Sequence, residues 1–381
     1  MFKWIGLVVT ALAVVNVGRA QQMWTYHSET VVAATSANET WHGLAITSDG
    51  TKHHCWYQGL QTRRYSPGLY GPEVVPVTTL VRQDEPEIVA KGDKVFLALS
   101  DRSQTHSQQM MVLGYPWLAD GTRPVMELVM SDNPDTVWLG RPFFYPAPNE
   151  DLVGVAFTLD WAENAGMSEY SFSPGPVRRD LYYAQGGWRQ TYAAGAANSN
   201  GAYLVWRDMS LSGGGANGAV MGAMEQGTEM LLGPGYAGEP KVAADHDTDL
   251  LAVVWHRNQQ AWCRILDPMG TPVAAEFQVN TSTAGWCRDV YPEWYEGSLY
   301  VLWERILSNR RSLEWVEVND KSGSWAPVGP ENPAHQGDDP YSIDQRDRGC
   351  HGLEFYGDDL FIPLVRWNGQ NRDATLAHWK R

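Results

Sequence analysis

Along residues 40–380 the chain repeats one pattern, an apolar run of strand length that ends in a tryptophan and a charged pair. The plainest copies are Tyr203-Leu-Val-Trp-Arg-Asp208, Leu251-Ala-Val-Val-Trp-His-Arg257 and Leu299-Tyr-Val-Leu-Trp-Glu-Arg305, whose Trp206, Trp255 and Trp303 stand 49 and 48 residues apart. Aligning on them brings out Phe96-Leu-Ala-Leu-Ser-Asp-Arg102, with Ser100 in the tryptophan slot, and Phe361-Ile-Pro-Leu-Val-Arg366, with Leu364 there. His53-His-Cys-Trp-Tyr-Gln58 and Leu152-Val-Gly-Val-Ala-Phe-Thr158 are fainter copies, giving seven near positions 56, 100, 157, 206, 255, 303 and 364. A shorter strand and a turn precede each copy, as in Pro240-Lys-Val-Ala-Ala244 and Asp245-His-Asp-Thr-Asp249, with matching turns at Lys91-Gly-Asp93, Tyr295-Glu-Gly297 and Tyr356-Gly-Asp-Asp359. A third strand follows, as in Ala261-Trp-Cys-Arg-Ile-Leu266, closed by Asp267-Pro-Met-Gly270. Such hairpin punctuation, with no sustained helical periodicity, predicts an all-β chain with almost no helix.

A period near fifty residues built from short strands is the signature of a four-stranded blade. The expected fold is therefore all-β, a single β-propeller over residues 21–381 with seven blades of four antiparallel strands. A ring left open would expose sheet edges. The segment Met23-Trp-Thr-Tyr-His-Ser-Glu-Thr-Val-Val32 is expected to complete the last blade beside Ala374-Thr-Leu-Ala-His378, so that the N-terminal strand closes the ring. Residues 1–20 stand apart from this pattern. Lys3, the apolar run Ile5 to Val17 and the small-residue site Gly18-Arg19-Ala20 read as a signal peptide, because the run falls short of the ~20 residues that span a bilayer. The mature chain is then secreted or periplasmic, not inserted in a membrane, and expected to be a monomer.

Composition narrows the partners. A net charge of −15 argues against nucleic acid, which demands a basic face. Four cysteines in an exported chain point to disulfides, and Cys55 with Cys350, and Cys263 with Cys287, fall in copies that would be neighbours in a ring. His53-His-Cys55 and Cys350-His351 lack the spacing of a zinc site, and Asp245-His-Asp-Thr-Asp249 lacks the glycine and late glutamate of a calcium loop. No cofactor or metal is expected. Ser212-Gly-Gly-Gly215 reads as a flexible loop, and Asn38-Glu-Thr40 and Asn280-Thr-Ser282 are glycosylation acceptors only in a eukaryotic chain.

In a ring of this kind the second strand of each blade returns to the upper face, where its charged end lines a rim. That places Arg102, Arg207, Arg257, Arg305 and Arg366 together, with Glu85, Arg141, Glu239, Arg288, Asp289 and Arg348 nearer the axis. Guanidinium forks around a shallow cavity suit a carboxylate or sulfate, and nearby Trp286, Tyr291, Trp294 and Tyr295 suit sugar faces. His256 or Tyr291 is a candidate to move a proton while the arginines hold a uronate, which is lyase chemistry. Glu304 with Glu293 is the alternative, a carboxyl pair for glycoside hydrolysis.

The stretch Leu266-Asp-Pro-Met-Gly-Thr-Pro-Val273 through Glu276-Phe-Gln-Val-Asn-Thr281 is similar to the outer half of blades in the sialidase-like class of secreted propellers. The resemblance covers most of residues 40–380 and is one of fold, since Ser48-Asp-Gly50 and Trp56 do not have the spacing of a sialidase Asp-box. It implies a propeller whose upper face carries the site. Propeller polysaccharide lyases are similar in architecture and use His, Tyr and Arg there. The expected function is binding, with cleavage by lyase or hydrolase chemistry, of an acidic polysaccharide or glycan; the alternative is a non-catalytic propeller that binds a glycan or protein.

Overall fold

In the computed structural model the described residues are 23–34, 39–58, 62–67, 83–101, 109–116, 127–130, 143–146, 152–159, 164–171, 177–184, 190–212, 218–308, 310–321, 323–334 and 352–381. Residues 1–20, Arg102, Arg141, Arg348 and Cys350 lie outside them. No α-helix occurs among the described residues, and one 3-10 turn covers Ser210–Ser212.

The strands form antiparallel meanders that follow one another along the chain. After β1 (Thr25–Ala33), the first sheet is β2 (Glu39–Ile46), β3 (Lys52–Gln58) and β4 (Thr62–Pro67). The second is β5 (Gln83–Lys91), β6 (Lys94–Asp101), β7 (Gln109–Pro116) and β8 (Glu127–Met130). The third is β9 (Phe143–Pro146), β10 (Leu152–Leu159), β11 (Asn164–Ser171) and β12 (Val177–Tyr183). A seven-stranded sheet follows, made of β13 (Gln190–Asn198), β14 (Gly201–Asp208), β15 (Gly218–Met224), β16 (Met230–Ala244), β17 (Leu251–Arg257), β18 (Gln260–Leu266) and β19 (Phe277–Gln278). Its 15-residue β16 serves twice, pairing with β15 through its first half and with β17 through its second, so this sheet is two meanders sharing a strand. Next come β20 (Trp286–Tyr295), β21 (Ser298–Leu307), β22 (Arg310–Asp320) and β23 (Trp325–Pro333). The last sheet is β24 (Glu354–Tyr356), β25 (Asp359–Trp367) and β26 (Arg372–Lys380), with β1 on its outer side.

All seven copies of the repeated phrase are second strands of their meanders, namely β3, β6, β10, β14, β17, β21 and β25. The N-terminal segment pairs with the C-terminal strand as its sequence predicts, from Thr25 opposite Lys380 to Ala33 opposite Ala374. Arg366 ties β25 to β1 through Glu29, at 2.6 Å.

The tryptophan slot is where one sheet meets the one before it. Trp206 packs with Ala156 and Met167 of the third sheet, Trp255 with Ala194 and Tyr203, and Trp303 with Val254 and Cys263. Trp56 of the first sheet packs with Ala33 and Ala374 of the last, and Leu44 with Phe361 and Leu376. These four indoles are fully buried, and none of their N–H groups has a hydrogen-bond partner. Burial wins nonetheless, since ~200 Å² of aromatic surface at ~25 cal/mol per Å² gains about 5 kcal/mol against about 1–3 for an unmet N–H. Close approach matters as well. A Cβ on Gly233 would fall 2.8 Å from the Trp255 ring, so only glycine lets β16 lie against that indole.

The contact between the first and last sheets carries buried histidines. The carbonyl of Leu364 can only accept, so His42 donates to it from Nδ1 at 3.3 Å and accepts on its Nε2 a hydrogen bond from His54 Nδ1 at 3.0 Å. Both rings are fully buried, and His54 Nε2 has no partner. Burial, opposed by Asp49, lowers the pKa of His53 to about 4, and burial beside His42 lowers that of His54 well below the usual value. The unfolded chain, with histidines near 6.5, therefore binds protons that the folded chain refuses, and stability falls as pH drops from about 6.5 towards 4. Thermal melts across this window should show a falling melting temperature, with a shallower fall in His53→Gln; an unchanged slope would remove the buried imidazole as its cause.

Candidate functional site

Five inner strands slip register near the same end of their sheets, between Thr40 and Gly43, Asp84 and Glu87, Thr191 and Ala194, Gly238 and Lys241, and Arg288 and Tyr291. This is the end to which the charged pairs of the second strands are delivered. A bulge of this kind re-aims the extra side chain and is frequent beside functional sites. In three successive bulges the first extra residue takes a left-handed conformation without being glycine, namely Tyr192 (φ 56°), Glu239 (φ 37°) and Asp289 (φ 44°). Each costs on the order of 1–3 kcal/mol, which the surrounding sheet must offset.

Second-strand side chains back these bulges. The His256 ring lies flat on the backbone before Glu239, so close that a Cβ on Gly238 would meet its Nε2 at 2.2 Å. Arg207 lies on Gly218, where a Cβ would fall 2.5 Å from its Cγ, and its guanidinium stands 5.8 Å from the Tyr192 ring. Glu304 sits opposite Arg288 in the ladder, one residue before the Asp289 bulge.

Glu304 is the most unusual of these groups. Ladder partners share a face, so Trp286, Arg288, Glu304 and Ile306 project together, away from the core that Cys287 and Trp303 join. The carboxyl is 3% exposed, accepts a hydrogen bond from Arg311 Nη1 at 2.7 Å through Oε1, and leaves Oε2 buried with no partner. Burial pushes its pKa above the ordinary carboxylate range despite Arg311 and Arg288, and Glu239 pushes in the same direction. Glu239 on β16 is thus within electrostatic reach of Glu304 on β21. The pairing expected from sequence, Glu304 with Glu293, does not form: Glu293 lies opposite Tyr300, four ladder positions from Glu304, or roughly 13 Å along the strand.

Glu293 and Tyr291 belong instead to a cavity of about 230 Å³ lined by inner strands, including Leu44, Val89, Ala196 and Val242. Tyr291 stands opposite Leu302, two residues before Glu304 on β21, with Lys241 Nζ 5.6 Å from its ring. Glu293 shares this cavity with Glu354, and burial drives both carboxyls up, Glu354 to about 8 and Glu293 well above its usual range, with Glu354 adding to the effect.

The recurring arginines have work inside their own sheets. Arg257 pairs with Glu276 at 2.7 Å and stacks on Trp262, 3.9 Å from the ring centroid. Arg305 pairs with Glu314 at 2.7 Å and also with Glu331. Burial pushes Glu314 up to about 7, whereas Glu331, although buried, is held below its usual value by hydrogen bonds from Ser282 and Thr281, so it carries the countercharge. Arg366 pairs with Glu29. In three sheets the same position ties the second strand to outer strands. Only Arg207 and Arg288 of the described candidates stand beside the bulges.

Two other expectations are resolved. Cys263 and Cys287 are free thiols, not a disulfide; both are packed in one apolar core, which drives their pKa values up, that of Cys287 to about 12. Cys55 is buried, and its expected partner Cys350 lies outside the described residues. The acids of Asp245–Asp249 fix turns: Asp245 accepts from Thr248 at 2.5 Å, and Asp249 from Ser199 at 2.5 and 2.9 Å. Among the described residues no three His, Cys, Asp or Glu side chains are placed to hold a metal.

No protein-family profile matches the sequence, and no curated protein does. The fold has solved likenesses. A protein of unknown function from Dyadobacter fermentans superposes with a TM-score of 0.53 at 8% identity, over 94% of this chain and 99% of that one. A Penicillium chrysogenum alpha-L-arabinanase, solved with arabinobiose, gives 0.51 at 12% identity over 93% and 98%. A structure from a study of two prolyl endopeptidases gives 0.52 at 10% identity over 90% of this chain, which spans about half of its length. Meanders and likenesses together define an all-β protein of the β-propeller class. Its structural neighbours include a glycan-acting enzyme.

The ion pairs generate a test. Arg305→Met leaves two half-buried glutamates without their countercharge and should cost about 1–2 kcal/mol in chemical denaturation, because breaking a partly buried pair leaves charge uncompensated.

Proposed function

We propose that this protein is a secreted, monomeric, seven-bladed propeller that hydrolyses glycosidic bonds at the rim formed by its bulges. Seven second strands, the shared β16 and the packing of the first sheet on the last support the blade count and a closed ring. Secretion rests on the leader-like residues 1–20.

The observation that carries the catalytic reading is the Glu304 carboxyl, buried, raised in pKa and with one oxygen unengaged, within electrostatic reach of Glu239. Glycoside hydrolysis needs two such groups with their pKa values pushed apart. Glu304 stays protonated and gives its proton to the leaving oxygen. Glu239, half-exposed on its bulge, acts on the sugar from the other side, as base or nucleophile. Arg311 and Arg288 steady the Glu304 carboxylate left after proton transfer, and His256 positions Glu239 by filling the space over Gly238. A carbohydrate substrate agrees with the arabinanase among the structural neighbours. Lyase chemistry at His256 is less well supported, since Arg257 and Arg305 are already paired.

Glu304→Gln should lower kcat by about 10²–10⁴ with folding intact, the usual worth of a positioned proton donor. Wild-type activity should fall on the alkaline side as Glu304 ionises. Release of reducing ends from a polysaccharide panel is the measurement, and undiminished hydrolysis by Glu304→Gln refutes the assignment. Retained glycan binding with no cleavage by the wild type would make the protein a non-catalytic binder.

A further inference from the structure

Beside the carboxyl pair stands an aromatic side chain that the hydrolysis does not use. Trp286 is 51% exposed at the start of β20, whereas the four indoles of the repeat are fully buried. Its mounting is fixed. Gly285 before it adopts φ +83°, and a Cβ there would fall 2.5 Å from the Ile306 carbonyl oxygen, so β20 enters the sheet in one conformation. Arg288, two residues on and on the same face, holds its guanidinium 5.8 Å from the Trp286 ring. Among the described residues Arg288 forms no ion pair, in contrast to Arg257, Arg305 and Arg366. Its ladder neighbour is Glu304.

From these positions we infer that Trp286 and Arg288 form a sugar subsite adjoining Glu304, which takes a uronic acid residue with its apolar ring face on the indole and its carboxylate on the guanidinium. An exposed indole suits the C–H face of a pyranose, and a guanidinium that forms no ion pair among the described residues suits a planar anion. A chain with a net charge of −15 repels acidic polymers in general, so an arginine that forms no ion pair among the described residues, standing beside the platform, makes recognition local. The inference rests on the glycan reading above and supplies its substrate class.

The test is binding by calorimetry to oligogalacturonate, oligoalginate and heparosan oligosaccharides, each beside its own carboxyl-reduced form. Wild type should bind at least one acidic oligosaccharide about 10-fold more tightly than the reduced form. Arg288→Gln should bring that ratio to about 1, and Trp286→Ala should weaken both forms about 10-fold with the melting temperature unchanged. A wild-type ratio near 1 throughout, a ratio that survives Arg288→Gln, or undiminished binding by Trp286→Ala overturns the subsite. Glu304→Gln, assayed in parallel, separates the two readings: if it keeps both the acid preference and full hydrolysis, the catalytic assignment fails while the subsite stands. If hydrolysis is lost in Glu304→Gln while Arg288→Gln keeps the preference, the reverse holds.

Discussion

The sheets of this protein have apolar faces that neighbouring sheets cover, and in four of the meanders the indole at the end of the second strand is a large part of that face. Trp56, Trp206, Trp255 and Trp303 all make this contact, and all leave an N–H unmet in order to make it. Sheets that depend on such contacts have little freedom in how they sit. The spacing is tight enough that Gly233 has no room for a side chain. Every position at the rim, including the placement of Glu239 relative to Glu304, follows from how these indoles seat.

Alternation along the second strand then explains why charge recurs where it does. In β17, β21 and β25 the arginine two residues beyond the tryptophan slot reaches outer strands of its own sheet, and Glu276, Glu314, Glu331 or Glu29 meets it there. A repeated residue in a repeated fold is first of all evidence of a repeated structural task. What distinguishes the rim chemically is the unrepeated set, Glu239, Arg288, Asp289 and Glu304.

The period, the second strands and the pairing of β1 with β26 were legible because fully buried strands write themselves as apolar runs and turns as Asp and Gly. The double use of β16 was not legible: Met230–Ala244 contains Gly233, Pro234 and Gly235, residue types that favour turns, while the backbone runs on from one sheet to the next. The bulges were hidden for a related reason. Tyr192, Glu239 and Asp289 hold a conformation that usually announces itself with glycine. Glu239 was visible as the start of an inner strand, but its relation to Glu304 depends on the placement of two sheets that share no ladder. Sequence proximity instead favoured Glu293, which faces the cavity with Glu354. Likewise, Cys263 and Cys287 looked like a bridge and are packed as small apolar groups.

The shared strand has a mechanical meaning. Ala237 is laddered to Gly218 on one side and to Arg257 on the other, so the two meanders joined by β16 move as one plate. Glu239 is fixed to that plate just beyond the joint, while Glu304 rides on a separate one. The gap between the two carboxyls is thus set by how one plate seats against the other along the seam of Trp303. A residue buried far from any sugar would act as the bearing on which the reach of the site is set.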